Sequence, residues 1–342
     1  MKKTKILLSL LFCFILILSL SVNIFAQDNI NMKHDISDIK LYPGGMPFGV
    51  KIISKGLYVV GFNDNNEKID SPAYDAGVRM GDIVLQLDGK DISSIEDFSR
   101  KINECKNKET KLTVKRGNSI MEFTFIPKYF KIDNSYKAGL CLKDSTSGIG
   151  TVTYIEPETG LFGGLGHGIC DSRSGRLVPL SKGIVMDVTI NGVNKGKVGT
   201  AGELKGTFNI KRLGSLISNT DSGVFGVINT STLTPPEGPL PVAKKEEVKE
   251  GAAYIWCTLG DGAPCKYKVL ITNVDTSCTG IKNFRVKVVD PALLSKTGGI
   301  VQGMSGSPII QNGKIVGAVT HVLVNDPTSG YGIFIENMLN HM

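Results

Sequence analysis

The chain has 342 residues, enough for two or three domains, and 41% of it is apolar with 40 glycines, which suits a globular, loop-rich and strand-rich protein. A net charge of +7 is scattered along it with no accompanying aromatic stripe, so nucleic-acid binding has little support and solubility accounts for the charge equally well. Seven cysteines contain no CxxC spacing, which removes the usual basis for a zinc site.

Residues 1–26 open with a basic Met1-Lys2-Lys3-Thr4-Lys5 and continue through an apolar run from Ile6 to Val22 to Ala26-Gln27. This is a signal peptide or an uncleaved membrane anchor, and either one exports the rest of the chain. Residues 27–40 read as a polar tether.

Residues 41–128 are expected to form an α+β domain. Ser71-Pro72-Ala73-Tyr74-Asp75-Ala76-Gly77 has the signals of a short helix: a serine cap, proline in the first turn and a closing glycine. Ser94 to Lys106 has Ile95, Phe98, Ile102 and Cys105 at helical spacing. Lys111 to Phe125 reads as a closing hairpin. The run from Ser71 to Lys90, S-P-A-x-x-A-G-V-x-x-G-D-I-V-L-x-L-D-G-K, closely resembles PDZ domains of bacterial proteases. Such domains bind a peptide as an added strand. By that resemblance Gly45, Phe48, Gly49 and Val50 sit where a peptide-binding loop is expected, although the loop departs from the usual GLGF.

Residues 138–342 are expected to be all-β, in two halves joined by a linker at about 234–250, where a proline-rich run gives way to charge. In Gly163-Gly164-Leu165-Gly166-His167-Gly168 a histidine stands amid glycines, which favours a working base over a packed core residue. His34 and His341 lie in mobile terminal positions. His321, on an expected strand, is the rival base. Cys257 and Cys265 flank a Gly260-Asp261-Gly262 turn and are expected to face each other across a hairpin. The six cysteines beyond Cys13 could pair, in any of 15 connectivities, or stand as free buried thiols, the reading preferred here.

The strongest signal is Gly303-Met304-Ser305-Gly306-Ser307-Pro308. Glycines on both sides allow a tight turn that exposes the serine Oγ, and the N–H groups of Gly303 and Ser305 are free to meet an oxyanion. Apolar runs around Asn312-Gly313 then predict a hairpin. A nucleophile turn leading into a hairpin is the arrangement of chymotrypsin-like double β-barrel proteases, whereas an α/β-hydrolase elbow leads into a helix. Ser222, in Thr220-Asp221-Ser222-Gly223, is a weaker rival because no glycine precedes it by two residues. A carboxylate should orient the histidine. Asp171, Asp187, Asp221, Asp261, Asp275 and Asp290 all qualify, although helix capping alone would explain Asp290 before Pro291.

Together with the apolar leader and the PDZ-like run, G-H-G-I-C-D, V-K-E-G-A-A, D-P-A-L-L-S-K-T-G-G-I-V-Q-G-M-S-G-S-P and T-H-V-L-V-N-D-P-T-S-G-Y-G-I-F-I-E-N-M-L resemble the SpoIVB peptidase family over nearly the whole chain. The resemblance implies a sporulation serine endopeptidase, free of metal or cofactor, secreted from the forespore into the intermembrane space. Its implied targets are itself and a membrane-anchored regulator of an intramembrane metalloprotease, whose release leads to sigma-K processing. It implies His167 as base, Asp290 as orienting acid and Ser305 as nucleophile, with Asp171 in reserve. Met304 stands where chymotrypsin-like zymogens carry an aspartate, so control is expected from the PDZ region and self-cleavage.

Overall fold

The computed structural model describes residues 36–65, 68–171, 175–230, 235, 237–260 and 262–341. The expected signal or anchor and residues 27–35 of the expected tether lie outside the described residues. A 3-10 turn, Ile36–Asp38, lies outside the unit that begins at Lys40. Among the described residues, no helix is long and apolar enough to cross a membrane.

The element that organises the remaining unit is a sixteen-residue strand. β1 (Lys40–Pro43) leads into β2 (Pro47–Phe62), which is rich in β-branched and aromatic residues. Phe48, Val50 and Ile52 bury one face of its first half, and Leu57, Val59 and Val60 are buried in its second. The chain then builds the PDZ-like region: α1 (Pro72–Asp75), β3 (Ile83–Leu87), α2 (Ile95–Cys105), β4 (Thr110–Arg116) and β5 (Ser119–Phe125). The expected Ser71 cap forms, its Oγ accepting from Tyr74 N at 3.2 Å, and Ser94 caps the second helix in the same way, its Oγ accepting from Asp97 N at 3.1 Å. Phe98 and Ile102 of α2 pack on Leu57, Val59, Val84, Leu112 and Val114. The buried Asp82 carboxylate is held by Arg116 at 2.7 Å and by the Arg79 N–H.

β6 (Leu140–Ile155) returns antiparallel to β2 along almost its full length, from Leu140↔Phe62 to Thr151↔Pro47. After it come β7 (Leu161–Gly164), β8 (Lys182–Asn194), β9 (Glu203–Thr220) and β10 (Gly223–Ile228). A short β11 (Leu240–Pro241) pairs with β1. All of these share a twelve-stranded sheet in the order β11-β1-β6-β7-β10-β9-β8-β2-β3-β4-β5, with Lys90–Asp91 beside β3 and an additional β6–β2 pairing. The first half of β2 is therefore paired on both edges, by Ser145–Thr151 of β6 and by Lys182–Met186 of β8. It belongs with the peptidase strands, and only its second half enters the PDZ-like region, where Leu57 and Tyr58 meet β3.

The remaining strands are β12 (Gly251–Cys257), β13 (Cys265–Thr272), β14 (Phe284–Val288), β15 (Pro308–Gln311), β16 (Lys314–Leu323) and β17 (Asp326–Phe334). They close into a barrel in the order β12-β13-β14-β17-β16-β15. Ile255, Val269, Ile271, Phe284, Val286, Ile309, Val316 and Phe334 fill it. α3 (Pro291–Thr297) precedes the nucleophile loop and α4 (Ile335–Leu339) ends the fold. Asn312 and Gly313 both have positive φ between the paired Gln311 and Lys314, so the two-residue hairpin forms as expected. Cys257 pairs with Cys265 across its hairpin, and all six described cysteines are free thiols. The expected linker is docked: Val242 and Ala243 are buried, and Ala243 N donates to Ile315 O of the barrel.

Candidate active site

Ser305 sits on the turn between α3 and β15. Gly303 and Gly306 carry φ of +95° and +94°, a region that disfavours side chains. A Cβ on Gly306 would also lie 2.0 Å from Thr151 O. Between the two glycines, Met304 is fully buried in the barrel core and pins the loop, leaving the next residue to point outward. Gly306 N donates to Val319 O at 2.7 Å and Val319 N to Ser307 O at 3.0 Å, which ties the turn to β16. From the other half, β6 holds the same turn. Thr151 N donates to Ser305 O at 2.9 Å, Thr151 Oγ1 to Gly303 O at 2.7 Å, and Thr153 Oγ1 to Gly306 O at 2.8 Å. Among the described residues, the N–H groups of Gly303 and Ser305 have no acceptor. A pair of fixed, unspent donors beside a hydroxyl is what a developing oxyanion needs.

His167 follows β7 in a loop that takes two positive φ values, at Leu165 and Gly166. A Cβ on Gly166 would come within 3.1 Å of the side chains of Ile333 and Thr320, so the loop lies close against β16 and β17. Gly168 N donates to Asp221 O at 3.1 Å and anchors the loop from behind. The His167 Nδ1 lies 2.9 Å from Gly168 O. With a carbonyl there, Nδ1 carries the proton and Nε2 keeps its lone pair, the form a base requires. Burial lowers the basicity of His167 below the ordinary histidine value, and the Gly168 carbonyl partly offsets this.

His321 is on β16, and its ring centroid lies 4.7 Å from that of His167, tilted by 39°. A bulge puts it there: Val319 pairs with Gly332 and Val322 with Gly330, so Thr320 and His321 together oppose Tyr331. Ser305 Oγ donates to Thr320 O at 2.6 Å. Ser305, His167 and His321 line one cleft of about 590 Å³ between the two halves.

Asp290 is elsewhere. It is the N-cap of α3: one carboxylate oxygen accepts from Ala292 N and Leu293 N, at 3.0 and 3.2 Å, and the other from Lys268 N at 3.1 Å. Burial would raise its pKa, but these donors outweigh burial and lower it. It does not line the cleft, and neither does the buried Asp171, whose N–H donates to Arg176 O. Asp187 accepts from Asn209, Asp275 holds Ser277, and Asp261 lies outside the described residues. Ser222 is buried beside Thr220.

The expected peptide-binding loop is also displaced. Gly45 donates its N–H to Val152 O, and a Cβ on it would meet Pro264 and Trp256 of the barrel. Phe48 and Val50 are core residues packed with Val152 and Phe162, and Gly49 lets Phe208 approach to 2.5 Å of where its Cβ would be. With both edges of this part of β2 already paired, it has no open edge for a peptide. Sequence reasoning missed Thr151, Thr153 and the Thr320 carbonyl. Thr151 and Thr153 act through their hydroxyls, Thr151 also through its N–H, and Thr320 through its carbonyl, all on a turn far away in the chain, and no local pattern signals that.

The family model described as SpoIVB peptidase S55 matches residues 134–339, and a PDZ domain model matches residues 65–116. Among curated proteins none matches the chain. Among solved structures, the PDZ domain of the SdrC-like protein (Lmo2051) from Listeria monocytogenes is 23% identical, covering 27% of this chain and 93% of that one, with a TM-score of 0.24. The Rv3671c protease from M. tuberculosis in its active form is 14% identical, covering 57% of this chain and 72% of that one, with a TM-score of 0.32.

Proposed function

The chain belongs to the SpoIVB peptidase S55 family, and on that premise we propose that it cleaves itself and a membrane-anchored regulator, triggering sigma-K processing from the forespore intermembrane space. Family membership makes it a serine peptidase with a sporulation role, and its PDZ domain a module for peptide partners. The observation that carries the catalytic reading is that Ser305 and His167, from opposite halves, line a single cleft.

In this reading Ser305 Oγ turns off the Thr320 carbonyl and attacks the substrate carbonyl carbon. Its proton passes to His167 Nε2 and then to the leaving amine as the C–N bond breaks. The N–H groups of Gly303 and Ser305 hold the oxyanion, and water then hydrolyses the acyl-enzyme. Asp290 acts in this scheme by capping α3, which leads into the cleft-lining residues from Ile300 to Gly303. The cleft walls include Val50, Ile149, Leu165, Ile169, Val301 and Val322 and no Lys, Arg, Asp or Glu among the described residues. That supports an uncharged, apolar substrate side chain beside the scissile bond. A double-barrel architecture is supported by the pairings β2–β6, β6–β7, β7–β10, β10–β9, β9–β8 and β8–β2, which return to their starting strand.

The second reading is a non-catalytic PDZ adaptor, which the resting bond from Ser305 Oγ to Thr320 O favours. A fluorophosphonate probe with peptide mapping separates the two. Covalent label on Ser305, and loss of self-cleavage and signalling in Ser305→Ala, is the outcome expected of the enzyme. An unlabelled Ser305 with signalling intact in Ser305→Ala would establish the adaptor.

A further inference from the structure

One strand edge beside the PDZ-like region is open. The start of β6, residues 140–143, pairs on one side with β2, from Leu140↔Phe62 to Lys143↔Tyr58. Its other neighbours, β1 and β7, meet β6 only from Val152 onward, so among the described residues no strand covers the second side of residues 140–143. Between this stretch and α2 lies a cleft of about 410 Å³, with Ile95, Phe98 and Ile102 on the helix wall and Leu140 and Leu142 on the strand wall. A groove between a helix and an unpaired strand edge can take a peptide as an added strand.

The loop entering that strand is built to meet negative charge. Ala138 O accepts from Ser71 Oγ at 3.1 Å and from Ala73 N at 3.2 Å, and Gly139 O accepts from Asn63 N at 2.9 Å. Both carbonyls are thus held from behind, while the N–H groups of Ala138 and Gly139 have no acceptor among the described residues. Leu140 adds a third donor. Asn63 and Gly139 form a bonded position of the ladder, so the alternation of an antiparallel pair turns the next N–H, that of Leu140, away from β2. Gly139 has φ +75°, and a Cβ there would lie 2.5 Å from Ser71 Cα, which only glycine tolerates. Successive free N–H groups in such a turn make a concavity for an anion. Arg100 and Lys137 line the cleft and, among the described residues, no Asp or Glu does.

We propose that this cleft is the peptide-binding site of the chain and takes the free C-terminus of an extended peptide, its carboxylate held by the N–H groups of Ala138, Gly139 and Leu140. The inference rests on the peptide-partner role given above and replaces the loop at residues 45–50 as its site. A carboxylate at the start of residues 140–143 makes the peptide run antiparallel to them. Its last and third-from-last side chains then share a face, and the apolar walls call for aliphatic residues at both. The helix wall lies in the stretch matched by the PDZ model, whereas the strand and the carboxylate loop lie in the stretch matched by the peptidase model. The site is therefore complete only when the start of β6 is in place, and its occupant extends the sheet along the strand that backs the Ser305 turn.

The test is fluorescence anisotropy on the full chain with the hexapeptide Gly-Ser-Ser-Val-Thr-Val, labelled at its N-terminus, as the free acid and as the C-terminal amide. The acid should bind, and the amide should bind at least tenfold more weakly, because charge-assisted hydrogen bonds are the stronger kind. Ser99→Glu sets a carboxylate on the exposed helix side of the cleft, where a helix accepts glutamate readily. It should melt within about 3 °C of native and weaken the acid at least fivefold. If Ser99→Glu fails to fold, a benzophenone at the third-from-last position of the acid decides on the native chain, with crosslinks expected in residues 95–103 or 137–142. Equal binding of acid and amide, binding to a folded Ser99→Glu within twofold of native, or crosslinks elsewhere would overturn the proposal and leave the peptide-partner role standing. Binding of neither peptide at about 1 mM would strike that role as well.

Discussion

At the scale of single residues, the two imidazoles define how the site should respond to acid. The unfolded-state pKa of histidine is ~6.5, and burial places His167 below it. A lowered pKa means that at any given acidic pH more of His167 is the free base. The acid limb of kcat/KM should therefore fall below pH ~6.5, measured on a peptide with an apolar residue before the scissile bond. His321 bears on stability with the same sign. The unfolded chain takes up its proton near pH ~6.5, while the folded one refuses it until about pH 4. Its contribution is thus intact above pH ~6.5 and declines as pH falls from there toward 4. Denaturant unfolding across that window should show a slope that His321→Phe reduces, the remainder belonging to His167.

At the scale of elements, α3 and the nucleophile turn show what local chemistry makes legible. The Asp290-Pro291 start and the Gly298 end of α3 are written in adjacent residues, and both form as capping rules require, with Gly298 at φ +74°. The caps of α1 and α2, the Asn312-Gly313 hairpin and the exposed turn at Ser305 are legible for the same reason. The approach of the His321 ring to His167 is not, because it depends on a bulge between strands whose register is set across the barrel. Asp290 can be assigned by charge. Asn caps a helix about as well as Asp, whereas Ala costs about 1 kcal/mol. Asp290→Asn keeps the cap but sets an amide N–H group against Lys268 N, so it should lose some stability yet fold and keep at least a third of native kcat, and Asp290→Ala should unfold about 1 kcal/mol more easily. A loss of a hundredfold or more in kcat for Asp290→Asn, with the fold intact, would return the carboxylate to the catalytic machinery.

At the scale of the whole molecule, the boundary of the PDZ-like region is the feature the sequence hid most completely. A glycine-rich loop before a strand looks like the entrance to that region, yet residues 49–53 are already committed to the peptidase strands on both edges. A strand that serves two neighbours in succession leaves no break in composition to read. The consequence for truncation is specific. Removing residues 41–128 takes away the strand that β6 and β8 both need, and that protein should not fold. Replacing residues 54–144 by Asn-Gly instead joins Ile53 to Ser145, which are already paired, through a two-residue turn. The shortened chain should unfold cooperatively in a circular-dichroism melt and still accept the fluorophosphonate at Ser305.

The same ladder sets an order of events as the chain matures. Ile53 and Ser145 are neighbours in space but about ninety residues apart along the chain, so bringing them together unaided is entropically slow. Once the intervening segment has collapsed on its own core, Phe62 and Leu140 are already side by side and the rest can zip. Closing a loop of a few residues in place of ninety lowers the entropic cost by roughly 3 kcal/mol. The region that resembles an appendage is thus expected to act as a built-in assembly clamp, and the chain with residues 54–144 replaced should refold at a different rate from the native one. Because Thr151 lies at the far end of that zipper, the turn that presents the nucleophile receives its backing among the last steps, after the rest of the ladder has closed.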